Sequence, residues 1–156
     1  MAKQNDDLSD IDRKILRVLQ LEANLPLDRI AEKVGASRTA IWNRIKRFEA
    51  SGLIKRYQAV LDPDLAGLGQ TFFVMIRTNK HDSAWLKRFS DAVESLPQII
   101  EAHRLAGETD YLLKVQVESP AAYDRFYRSL IDQIELYNVT SQISMETIKM
   151  ATPLPI

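Results

Sequence analysis

Residues Ser37-Arg38-Thr39-Ala40-Ile41-Trp42-Asn43-Arg44-Ile45-Lys46-Arg47-Phe48 read as one amphipathic helix, with Ile41, Ile45 and Phe48 on the inner face and a basic outer face. Ser37 suits its N-terminus as a cap, and Ser51-Gly52 suits its stop. The stretch Ile30-Ala31-Glu32-Lys33-Val34-Gly35 just before it reads as the end of a shorter helix. Two helices joined by a tight glycine-containing turn predict a helix-turn-helix whose second helix enters a DNA major groove. Taken alone, the pattern also fits an ordinary solvated helix pair.

Upstream, Ile11, Ile15, Val18 and Leu19 recur at helical spacing, and Ser9 stands three residues before Asp12 as in a capping box. Leu27, Ile30, Ala31 and Val34 give a second helix after Pro26. Downstream, the run Leu53 to Leu61 turns β-like until Asp62-Pro63 breaks it, the position of a β-wing. The expected organisation is a winged helix-turn-helix with an N-terminal arm over 1–61, a linker over 62–70 and a second domain over 71–156.

In that second domain the pattern alternates. Strands are predicted at Thr71–Thr78, Gln98–Ala106, Tyr111–Glu118 and Val139–Met150, with helices at Ser83–Ser95 and from Ser119-Pro120 to about Gln133. The order βαββαβ is that of a ferredoxin-like α+β fold, an antiparallel sheet with both helices on one face. Phe72, Phe73, Val74, Met75 and Ile76 are apolar at consecutive positions, so both faces of that strand call for cover. The helices supply one cover, and a second copy of the domain is the simplest source of the other.

The formal net charge of zero argues against a generic polyanion binder, but the average hides a local bias. Arg38, Arg44, Lys46, Arg47, Lys55 and Arg56 face only Glu49 between Ser37 and Tyr57, while Asp6, Asp7, Asp10 and Asp12 crowd the N-terminus. Without cysteine there is no disulfide framework, thiolate nucleophile or zinc finger. No apolar run approaches the roughly 20 residues of a membrane span, and the polar N-terminus lacks a signal core, so a cytoplasmic protein is expected.

No constellation reads as catalytic, and no metal site is expected. His81 and His103 stand apart from any Asp or Glu cluster at ligand spacing. Gly107-Glu108-Thr109-Asp110, between the second and third strands, sets a carboxylate, a hydroxyl, backbone groups and Tyr111 at one sheet edge. Such a set suits a small zwitterion. By spacing alone a plain hairpin turn is the better reading.

Together these segments resemble the Lrp/AsnC family of amino-acid-responsive transcription regulators. The resemblance rests on Leu8-Ser9-Asp10-Ile11-Asp12-Arg13-Lys14-Ile15-Leu16, Arg44-Ile45-Lys46-Arg47-Phe48-Glu49, Gly52-Leu53-Ile54, the run Ala106 to Val115, Met145-Glu146-Thr147-Ile148-Lys149 and Leu154-Pro155-Ile156. It implies an N-terminal domain that binds double-stranded DNA through Ser37, Arg38, Thr39, Trp42, Asn43 and Arg47 in the groove, with Arg44 and Lys46 on phosphates or helix-end contacts. It also implies an ACT-like sensing domain, and this reverses the preference for a bare turn. A free amino acid would be held by Gly107, Glu108, Thr109, Asp110 and Tyr111 with Val139, Thr140, Ser141 and Gln142, where homodimers assemble into tetramers or octamers. Trp85, the helix containing Tyr123 to Tyr127, and Val139-Thr140-Ser141 resemble a branch associated with cysteine response. An architectural DNA-binding protein without an effector is the alternative. One departure stands out: Ile134-Glu135 replaces the family's usual Pro-Gly before the final strand.

Overall fold

The computed structural model describes residues 8–150 and 153–156, which divide into two compact units. The N-terminal arm, with Asp6 and Asp7, lies outside the described residues. In the first unit, helices α1 (Asp10–Leu21), α2 (Leu27–Val34) and α3 (Arg38–Ala50) enclose Ile15, Leu16, Leu19, Ile30, Val34, Ile41, Ile45 and Phe48. Ser9 and Asp12 form a reciprocal capping box: the Ser9 hydroxyl accepts from the Asp12 amide at 3.3 Å, and the Asp12 carboxylate accepts from the Ser9 amide at 3.1 Å. The buried stripe of α1 differs from the expected one, because Ile11 is exposed while Asp12 and Leu16 are buried. The inward face passes through positions 12, 15, 16 and 19, and Ile11 falls beside it. Between α2 and α3, Gly35 takes φ +74°, a left-handed conformation that costs glycine little, and Ser37 caps α3 through the Ala40 amide at 3.3 Å.

One expectation for this unit is corrected. The β-like run does not form a wing strand: residues 55–62 have no regular structure and are exposed, because among the described residues no neighbouring strand offers them a ladder. Ile54 alone is anchored, its amide donating to the Phe48 carbonyl at 3.1 Å. The C-terminal residues 153–156 group by their contacts with the first unit. Gln20 grips Leu154 from both sides, accepting from its amide at 2.6 Å and donating to its carbonyl at 3.4 Å; Arg17 donates to the Ile156 carbonyl, and Ile156 packs on the core.

The second unit, Leu61–Ile148, contains strands β1 (Gln70–Arg77), β2 (Ile99–Arg104), β3 (Tyr111–Val117) and β4 (Asn138–Ile143), with helices α4 (Ser83–Ser95) and α5 (Pro120–Gln133). The strand order is β2-β3-β1-β4, antiparallel throughout, as the βαββαβ reading requires. Asp82 caps α4 and Ser119 caps α5, whose first residue is Pro120. The last strand ends at Ile143, well short of the expected Met150. The β1–β4 ladder ends at the Phe72–Ile143 pair, with one further bond from the Ser144 amide to the Thr71 carbonyl at 2.8 Å.

Side-chain alternation splits the sheet into two faces. Phe72, Val74, Ile76, Tyr111, Leu113, Val115 and Val117 pack under the helices with Trp85, Phe89, Phe126 and Leu130. Phe73, Met75 and Leu112 lie on the other face, where Phe73 is 36% exposed. At the departure before β4, Ile134 leaves α5 in an extended conformation and is buried at 4% exposure. The Glu135 carbonyl accepts from the Trp85 indole at 3.0 Å, and the Glu135 carboxylate pairs with Lys80. A buried isoleucine and an indole hydrogen bond thus hold this turn in place of Pro-Gly.

Candidate DNA-binding and effector sites

The outward face of α3 carries Thr39, Trp42 and Asn43, all exposed, with Arg38 in its first turn and Ser37 at its cap. A recess of about 250 Å³ lies between this face and Leu27, lined by Arg38, Thr39 and Trp42. Trp42 is 48% exposed, so its indole edge is available at this surface. Hydroxyl, amide, indole and guanidinium groups on one exposed helix face can meet base edges and thymine methyl groups.

The cations of α3 are less free than the sequence suggests. Arg38 lies 3.6 Å from Asp28, and Lys46 pairs with Glu49 at 2.8 Å. Arg44 and Arg47 both reach one carboxylate oxygen of Asp12, at 2.6 and 2.9 Å. Arg47, expected in the groove, is therefore tied back toward α1, although it stays half-exposed. Asp12 was legible only as a cap; its contacts to α3 cross more than thirty residues of sequence, a separation no local pattern reveals. Burial would push its pKa up, but hydrogen bonds from Ser9 and Arg44 outweigh that and hold it below the ordinary carboxylate value.

In the second unit, the hairpin between β2 and β3 and the start of β4 lie at the same end of the sheet, because Tyr111 and Val139 both pair with Ile76. They flank β1 on opposite sides, about 10 Å apart across two strand spacings. The expected effector residues divide between faces. Tyr111 is buried against Trp85 and Phe89, Val139 packs on the helix-side core, and the Ser141 hydroxyl meets the Tyr123 hydroxyl. Thr140 and Gln142 alternate to the opposite face, paired with Met75 and Phe73. Gly107 and Glu108 are exposed, and Thr109 and Asp110 half-buried. Asp110 is engaged: its carboxylate accepts from the Thr78 amide at 2.8 Å, and its amide donates to the Ile76 carbonyl at 3.0 Å. These bonds lock the hairpin to the end of β1. His81 and His103 are exposed, and among the described residues no group of three His, Asp or Glu is placed to hold a metal.

The exposed helix-turn-helix face and the ferredoxin-like sheet unit, with the family matches that follow, define a DNA-binding transcription regulator with a ligand-binding domain. Residues 8–55 match a winged helix-turn-helix DNA-binding model, and residues 71–154 match the Lrp/AsnC ligand binding domain. The chain belongs to the Lrp/AsnC family. It is 44% identical over 150 residues to the DNA-binding transcriptional activator DecR of Escherichia coli K12, covering 96% of this chain and 99% of that protein. The crystal structure of an AsnC family transcriptional regulator from Agrobacterium tumefaciens superposes with a TM-score of 0.90 at 46% identity, covering 94% of this chain and 96% of that one. A transcriptional regulator from Neisseria meningitidis, solved as its L-Met complex, superposes at 0.89 with 30% identity over 95% and 96% of the two chains.

Proposed function

We propose that this protein is a sequence-specific regulator of transcription whose assembly and DNA affinity respond to a small amino acid bound in the second unit. The exposed face of α3 with Arg38, Thr39, Trp42 and Asn43 is the observation that carries the DNA half. The L-Met complex of the Neisseria relative supports an amino acid as effector. Within one chain the hairpin and β4 lie on either side of β1, too far apart for one small amino acid to bridge. Groups from a second copy would complete the site: the hairpin, with Gly107, Thr109 and Asp110, on one side, and Thr140 and Gln142 from the open sheet face on the other. Phe73, Met75 and Leu112 give that face an apolar patch suited to self-association, so that ligand binding and assembly are linked and the coupling is reciprocal.

Asp110 now has two tasks to separate. One oxygen holds the Thr78 amide, leaving the other for an ammonium. Asp110→Asn keeps an acceptor for Thr78 but loses the charge, so it should fold normally and lose effector binding. The parent is screened by thermal shift against the proteinogenic amino acids, where ligand at 100 times its dissociation constant raises stability by about 2.7 kcal/mol. Light scattering and DNA gel shifts follow with the ligand found. Absence of any shift across the set would favour the alternative, an architectural DNA-binding protein without an effector. Asp110→Asn binding the effector as tightly as the parent would reduce Asp110 to a turn residue.

A further inference from the structure

Asp12 divides its work between its two carboxylate oxygens. Oδ2 completes the cap of α1, accepting from the Ser9 amide at 3.1 Å and the Ser9 hydroxyl at 2.7 Å. Oδ1 has no part in that cap. It accepts from Arg44 Nη1 at 2.6 Å and Arg47 Nη2 at 2.9 Å, two residues one turn apart on α3. The Asp12 side chain is 4% exposed, whereas those of Arg44 and Arg47 are 30% and 54% exposed. The carboxylate is thus fixed inside the unit, while the guanidinium groups reach it from the surface. The Arg47 guanidinium also lies 5.4 Å from the centre of the Phe48 ring, a second restraint on its direction.

Capping α1 needs only the Ser9 side of this arrangement, so the Oδ1 contacts require another explanation. A charge-assisted bond is directional, and two of them converging on one buried oxygen fix both the rotation of α3 about its axis and its slide along α1. They also neutralise part of the positive charge of α3, which would otherwise attract any phosphate backbone regardless of sequence.

We infer that Asp12 is a positioning residue for DNA recognition: by holding Arg44 and Arg47 it sets the orientation of α3 and restrains indiscriminate phosphate binding, so that it favours the chosen sequence over random DNA. The inference rests on the proposed entry of α3 into the groove. It makes Asp12, a carboxylate buried behind α3, a determinant of specificity.

The test uses the full chain, a duplex that the parent selects from a randomised library, and a random-sequence duplex of equal length. Asp12→Asn should lower affinity for the selected duplex about ten-fold, the scale on which one base contact discriminates, while affinity for random DNA stays level or rises. In an Arg44→Gln/Arg47→Gln background, Asp12→Asn should have no further effect on the ratio of the two affinities. Leu19→Ala, buried on the same helix but remote from these contacts, controls for destabilisation and should leave the ratio unchanged. All affinities are measured well below each variant's melting midpoint, as checked by circular dichroism.

A ratio for Asp12→Asn within two-fold of the parent would overturn the inference. So would a loss that persists in the double-arginine background, or one reproduced by Leu19→Ala. Failure of the groove reading is separately visible, because Thr39→Ala and Trp42→Ala would then leave affinity for the selected duplex unchanged.

Discussion

The two units solve the same problem with different materials. Among the described residues, the second buries fifteen apolar residues in one cluster, including Trp85, Phe89, Phe126 and Tyr111, whereas the first buries eight, Phe48 the only aromatic among them. A smaller core returns less hydrophobic free energy per ordered residue, and the first unit supplements it with polar ties: the Asp12 node and the Gln20 grip on Leu154. Burial is non-directional, so the sheet unit gains mass and stability from it, while the helical unit gains fixed orientation from directional bonds. On the proposed function that division fits, since a helix that reads a groove must be aimed and a sheet that takes part in assembly must present a stable face.

The largest expected effect lies in the apolar unit. Phe126 is 2% exposed between α5 and the sheet, and Phe126→Ala should cost about 3–5 kcal/mol in that unit. One tryptophan stands in each unit, Trp42 exposed and Trp85 buried, so urea unfolding followed by fluorescence in a Trp42→Phe background reads the second unit selectively. A cost below about 1 kcal/mol would mean that the core collapses around the gap and that apolar packing does not dominate there.

The next effect is the pH response of the polar unit. The folded Asp12 carboxyl has a pKa below its ordinary value, so its contribution is present above the unfolded pKa of about 3.9 and is lost as the pH falls through the lower folded value. Glu49 is lowered too, chiefly by its hydrogen bond from Lys46, so acid weakens the unit by more than one route. The difference between parent and Asp12→Asn isolates Asp12. The variant should be about 1–3 kcal/mol less stable at pH 7, from the lost charge-assisted bonds, and the gap should close below about pH 4. A gap that stays constant from pH 7 to pH 3 would show that charge at Asp12 contributes nothing.

Much of this contrast was open to sequence reasoning, and the exceptions share a cause. Local patterns gave the three helices, their Ser9 and Ser37 caps, the βαββαβ order, and the starts of α4 and α5, because caps and periodicity act over a few residues. What escaped was set by distant partners. The wing run had the composition of a strand but, among the described residues, no strand to pair with, and the β4 ladder stopped at Ile143, opposite Phe72. Among site residues, the exposed Thr39, Trp42 and Asn43 follow from helical spacing. The capture of Arg47 by Asp12, and of the Thr78 amide by Asp110, depends on groups brought together from 35 and 32 residues away. Alternation did contain one usable signal: Tyr111 and Val139 fall in step with the helix-side strand residues, which places them in the core and apart from Thr140 and Gln142.

The smallest effect tests the least expected polar tie. Gln20 has no place in the apolar stripe of α1, yet its amide group closes a two-point contact with the backbone of Leu154, and Ile156 adds an apolar plug beside it. Exposed hydrogen bonds contribute little net free energy because water competes for the same groups, so Gln20→Ala should cost only about 0.5–1 kcal/mol. If the segment belongs energetically to the first unit, the loss should appear in the transition followed by Trp42 in a Trp85→Phe background, with the parent for comparison carrying the same change. Hydrogen exchange at the Leu154 amide should quicken as well, while amides in β1 and β3 keep their protection. Slower-than-parent exchange in β3, or equal weakening of both units, would mean that residues 153–156 stabilise the chain by another route. An unchanged Leu154 amide would mean that Gln20 holds nothing, leaving Ile156 and Arg17 as the groups that bring the segment back to α1.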